Sequence, residues 1–162
     1  MPWHDSEGVV TVNAHQLRDI IEEGENDRIE FKRCGNQPEK DLFETICAFA
    51  NTFGGTILLG VEDDGSLTGI DPAQVLPITG NVLNVVNNPN AFDVPVSLEF
   101  EHIEIDDRQI IKIDVPNSPQ MHSYKGKVYE RRGDADVVVR GSAPLAELCI
   151  RKQGIYTEQR IF

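Results

Sequence analysis

The chain of 162 residues has only three cysteines, Cys34, Cys47 and Cys149, too widely spaced for a disulfide framework or a zinc pattern. They read as reduced thiols of a cytoplasmic protein, with Cys47 a small core residue. The four histidines, His4, His15, His102 and His122, show no HExxH spacing, which argues against a dedicated transition-metal cage. No GxxxxGK[ST] loop is present and no GxGxxG follows a strand, which argues against nucleotide binding. No Ser or Cys nucleophile stands at a recognisable spacing from a His, and Ser123 beside His122 is most simply a loop pair. No stretch approaches the roughly 18 apolar residues of a membrane span. The opening MPWHDSEGVV has no basic segment ahead of an apolar one, so no signal peptide is expected.

Positive charge is also scarce. Lys and Arg number 15 against 27 Asp and Glu, a formal charge of −12, which rules out a uniformly basic nucleic-acid coat and a polybasic membrane tether. What is present is a 40% apolar, 26% charged chain of the length of one domain, 1–162, able to build a core. The charge is uneven. Residues 1–119 carry 7 basic and 22 acidic side chains, whereas residues 120–162 carry 8 basic and 5 acidic. The basic residues of that second part are Lys125, Lys127, Arg131, Arg132, Arg140, Arg151, Lys152 and Arg160. An acidic protein with one basic end can meet a polyanion locally, because salt screens distant charges.

Asn13 as N-cap with Gln16 three residues on starts a helix whose stripe is Leu17, Ile20 and Ile21, closed by Glu22-Glu23-Gly24. Arg28–Lys32 alternates as a strand, with Ile29 and Phe31 toward the core and Glu30 on the other side. Pro38 and Glu39 open a second helix to about Asn51, with Leu42, Ile46, Phe49, Ala50 and Phe53 at helical spacing and Gly54-Gly55 as its stop. Thr56–Val61 is apolar on both faces and reads as a central strand. Asp64-Gly65 is a tight turn into a short strand at 67–70. Residues 72–88 carry a weaker helical pattern that Pro77 and Gly80 break in two. Two β-type runs, 96–105 and 109–115, meet at Asp106-Asp107, a further strand covers 127–131, and a helix runs from about 143 to 160. This order predicts an α+β fold, a single domain with a mixed β-sheet flanked by helices.

Glu25, Glu30, Glu62, Asp63 and Asp64 fall at the ends of elements expected to be neighbours in the sheet. Metal-assisted phosphodiester cleavage needs two or three carboxylate oxygens converging on a hard cation, and Glu30 with Asp63 could supply them if their strands pair. The competing reading is a set of solvated loop acids.

Several segments together resemble the Schlafen AlbA-like domain. Ile29-Glu30-Phe31-Lys32 resembles its "EFK" opening, and Ala48-Phe49-Ala50-Asn51-Thr52-Phe53-Gly54-Gly55 its "AFANTxGG" signature. Gly60-Val61-Glu62-Asp63-Asp64-Gly65 with Thr68-Gly69 continues it, and His122 with Tyr129-Glu130-Arg131-Arg132-Gly133 is similar to its "PxH…YxRxG" ending. The likeness covers about residues 15–160. It implies a nucleic-acid-binding domain, foremost DNA-binding, of a bacterial or archaeal transcriptional regulator, in proteins where such a domain is often the N-terminal part of a longer chain with a divergent ATPase-like region. Lys32, Arg33, Lys125, Lys127, Arg131 and Arg132 would then be the phosphate contacts. In animal Schlafen proteins similar domains cut RNA with a metal-bound acidic triad, which implies the alternative of an endoribonuclease dependent on Mg or Mn. Its catalytic acids here would be Glu25, Glu30 and Asp63, with Glu30 and Asp63 as metal ligands. Glu62 also fits the third place, and Asp63 is preferred as sharing a face with Ile57, Leu59 and Val61. Those nucleases pair two such lobes, so a homodimer is a further expectation, and an interaction module using an exposed sheet edge is another.

Overall fold

The structure, a computed structural model, describes residues 14–161, with side chains described as far as residue 152. Helix α1 (14–23) is followed by β1 (Ile29–Lys32), α2 (Leu42–Asn51), β2 (Gly55–Leu59), α3 (Val75–Val86), β3 (Glu99–Ile105), β4 (Arg108–Val115), β5 (Tyr129–Arg132), β6 (Ala135–Val138) and α4 (Ser142–Ile161). The α+β reading holds. Four strands form one mixed sheet in the order β1-β2-β4-β3, with only β1 and β2 parallel, and β5-β6 form a separate hairpin.

β2 lies between β1 and β4 and is covered on both faces, as its unbroken apolar run requires. Ile57 and Leu59 join Ile111, Ile113, Leu42, Ile46 and Phe49 in the larger core under α2 and α3. Leu58 turns the other way, to Leu17 of α1, Phe31, Ile103 and Ile110. Gly54 closes α2 at φ 73°, with its amide donating to Phe49 O at 2.7 Å. A Cβ there would stand 2.7 Å from Val115 O, so glycine is required twice over.

The structure departs from the sequence expectations at several points. The Asn13 cap lies outside the described residues. α2 begins at Leu42 rather than at Pro38-Glu39, because Glu39 and Asp41 spend their carboxylates on the Arg33 amide and the Lys32 ammonium instead of on helix N–H groups. Phe53 is exposed and lies under the Arg28 guanidinium, 5.4 Å from its carbon. Residues 67–70 form isolated bridges and no strand, since Gly69 at φ 75° interrupts them. α3 is unbroken. Pro77 falls in its first turn, where no amide donor is needed, after a 3₁₀ turn at Pro72–Gln74. Strand β6 has no counterpart among the sequence expectations. Val61 packs with Leu58 and Phe31, not with Ile57 and Leu59, because Gly60 at φ 100° breaks the alternation. The shared face invoked for Asp63 is therefore absent.

Candidate functional site

The signature residues meet where the hairpin docks on α2. Asn51, 2% exposed near the C-terminus of α2, donates through Nδ2 to His122 O at 2.8 Å and Tyr129 O at 2.9 Å, and its Oδ1 accepts the His122 amide at 2.8 Å. Thr52 Oγ1 accepts the Arg131 amide at 2.8 Å. A buried side-chain amide with its bonds made to two chain segments fixes their register against the helix. The Asn-Thr pair therefore clamps the hairpin, which helical packing alone would not need.

Beneath this clamp lies a charged network. Glu30 and Lys32 share the face of β1 that turns toward α2, at the register of Ile57 and Leu59. Arg131, whose side chain is 1% exposed, crosses from β5 over the Phe49 ring, 4.8 Å from its centroid. It donates to Glu30 Oε2 at 2.6 Å, to Asp136 Oδ1 at 2.8 Å and to Asn26 O at 3.0 Å, while its Nε has no partner. The two carboxylates raise its already high proton affinity against the opposing effect of burial. Lys32 Nζ lies 3.0 Å from Asp41 Oδ1 and 3.4 Å from Glu30 Oε1. Asp136 also accepts from Thr45 Oγ1 at 2.5 Å. The "E" of the first motif and the first "R" of the last are thus ion-pair partners across 101 residues.

Two of the six expected phosphate contacts are corrected by this geometry. Lys32 and Arg131 are buried and engaged by carboxylates, so neither reaches a phosphate. Arg33, Lys125, Lys127 and Arg132 are exposed. Arg33 Nε donates to Glu62 Oε2 at 2.9 Å. Lys125 and Gly126, at φ 49° and 79°, form the two-residue tip of a tight turn closed by Tyr124 and Lys127. Tyr124 packs on the Phe43 and Phe92 rings at 5.8 and 5.2 Å, which holds the tip in place. Arg132 and Arg151 both donate to Glu130, leaving that spot net positive. Lys152 adds nothing to the basic surface. It is 3% exposed and donates to Ala50 O and to Ser118 O, and burial pushes its amine down to about 8.

Two of the acidic set are engaged, Glu25 by the Phe31 amide and Glu30 by Arg131 and Lys32. Burial raises the Glu25 carboxyl above its ordinary range, the charges of Glu30 and Asp63 add to this, and the Phe31 amide bond opposes it. Glu62 is taken by Arg33, while Asp63 is exposed. Among the described residues no three His, Cys, Asp or Glu side chains converge as ligands for one metal ion. With Glu30 held by Arg131 and Lys32, this donor set does not fit a divalent cation. Asp136, missed from the sequence, had a readable signal: a Gly133-Asp134 pair between alternating runs predicts a hairpin that sets residue 136 opposite Arg131. Buried Lys152 had none.

The three cysteines are unpaired, and burial pushes Cys34 and Cys47 up to about 11 and about 12. Among the described residues no helix is long and apolar enough to cross a membrane.

No curated protein matches the chain. Among solved structures it is similar to the N-terminal domain of a protein of Nitrosomonas europaea named as related to the ATP-dependent DNA helicase RecG, at 25% identity and a TM-score of 0.52, covering 75% of this chain and 91% of that one. The DIP2311 protein from Corynebacterium diphtheriae shares the fold at 18% identity and a TM-score of 0.53, over 77% of this chain and 29% of that one. The family model described as Schlafen, AlbA_2 matches residues 25–140, which hold the β1 glutamate, the Asn-Thr clamp and the Arg131 hairpin. The chain belongs to the Schlafen AlbA_2 family.

Proposed function

We propose that this protein binds nucleic acid, with DNA as the preferred polymer and a transcriptional regulator as its setting. The observation that carries the reading is the family membership, supported by likeness to a domain from a protein named for a DNA helicase. Phosphate contacts fall to exposed cations, foremost Lys125 and Lys127 on their braced turn, with Arg132 and Arg33. Such contacts neutralise phosphates and release counterions, so they give affinity without sequence information. The formal charge of −12 keeps that affinity modest.

Fluorescence anisotropy with labelled duplex DNA, single-stranded DNA and RNA at low salt tests the reading. The wild type binds, and the double variant Lys125→Gln, Lys127→Gln loses about tenfold. Absence of affinity for all three polymers overturns it. Manganese-dependent RNA cleavage that disappears in Glu25→Gln and Asp63→Asn favours the nuclease reading instead, and requires Glu30 to leave Arg131.

A further inference from the structure

β3 is an edge of the four-stranded sheet and, at seven residues, much longer than β1 at the other edge. Among the described residues none of its backbone groups bonds outside the β3–β4 ladder. An unpaired edge of this length is a template for another strand unless something blunts it. Beside it, between α1 and β3, lies a cleft of about 260 Å³ with an apolar floor of Leu17, Ile20 and Ile103 and the charged residues Asp19, Glu101 and Lys112 in its lining; Lys112 Nζ is drawn to Asp114 Oδ2 at 2.8 Å and stands 3.8 Å from Glu101 Oε2. Glu99 and Glu104 carry the negative charge to both ends of the strand, and both are exposed.

We propose that the β3 edge is a docking site for an extended, basic polypeptide segment that adds as a fifth strand. Main-chain hydrogen bonds to β3 supply the pairing, and side-chain alternation supplies the selectivity. Every second side chain of the guest falls on the α1 side. There a Lys or Arg lays its aliphatic stem over Leu17, Ile20 and Ile103 and brings its charge to Asp19, with Glu101, which it shares with Lys112, beside it. A second copy of this chain fits poorly, because pairing two β3 edges would gather Glu99, Glu101 and Glu104 of both strands along one seam.

The probe is a fluorescein-labelled peptide of about ten residues, alternating Lys and Val, long enough to span a strand. Its control is the same peptide N-methylated at alternate residues, which keeps charge and composition but removes one row of amide donors. The unmethylated peptide should bind, slow amide hydrogen exchange within residues 99–105, and lose about tenfold in affinity to the Glu99→Gln, Glu101→Gln variant and to N-methylation. Lys125→Gln, Lys127→Gln should leave this binding unchanged, which separates it from nucleic-acid contact. Equal affinity for both peptides would show charge attraction alone and overturn the proposal. Slow exchange of the edge amides before peptide is added, from the chain's own remaining segments or a second copy, would overturn it too.

Discussion

Glu30 has its charge committed in a nearly closed space, between a guanidinium and an ammonium. Neutralising it leaves Arg131 facing Asp136 alone. Removing one partner from a buried pair costs about 3 kcal/mol or more, since the remaining charge keeps its desolvation without its attraction. Glu30→Gln is therefore expected to lower the unfolding free energy by roughly that amount in urea titrations. A loss under about 0.5 kcal/mol would mean that the pair is solvated. His122 offers a second residue-scale test. Burial lowers its pKa from the ordinary 6.5, the Lys152 charge adds to this, and the bond between Nδ1 and Val94 O and the charge of Asp93 oppose it. The folded protein then binds fewer protons than the unfolded chain below 6.5. His122's contribution to stability is complete above that pH and is lost as pH falls toward the depressed value. An NMR titration of the imidazole should give a midpoint under 6.5. The sequence showed Glu30 and Arg131 as motif members but not as each other's partner, because a contact across 101 residues leaves no periodic trace.

At the scale of elements, what the sequence showed was the strong patterns: the α2 stripe, the doubly apolar β2, and the β3–β4 hairpin with Asp106 and Asp107 both at positive φ. The weaker ones went astray where a single residue had two meanings. Pro77 breaks a helix in its interior yet fits its first turn, and only the start of α3 at Val75 decides between these. Gly80 lies within the same helix, and an alanine methyl there would meet nothing within 4 Å. Gly80→Ala should thus stabilise the protein by about 1 kcal/mol, because alanine loses less backbone entropy in a helix. Gly54→Ala should instead cost at least about 2 kcal/mol, from its left-handed backbone and the clash with Val115 O. Thermal unfolding of the two variants should show shifts of opposite sign. A neutral Gly54→Ala would contradict the packing described for the α2–β2 corner.

At the scale of the whole molecule, the buried cations Lys32, Arg131 and Lys152 hold the hairpin and α4 in place, while the exposed ones include Lys125 and Lys127 on the Tyr124 turn and Arg132 and Arg151 around Glu130. The basic count of residues 120–162 was legible in the sequence. Which of those cations face water was not, since burial depends on partners such as Glu30, 101 residues from Arg131 and in a different sheet. The most direct test of the nucleic-acid reading is the salt dependence of binding to a short DNA duplex. With Arg33, Lys125, Lys127 and Arg132 as contacts, log affinity should fall against log salt with a slope of about −3 to −4, and the Lys125→Gln, Lys127→Gln variant should flatten it by about 2 units. A flat dependence, or a slope that the two substitutions leave untouched, would contradict the account.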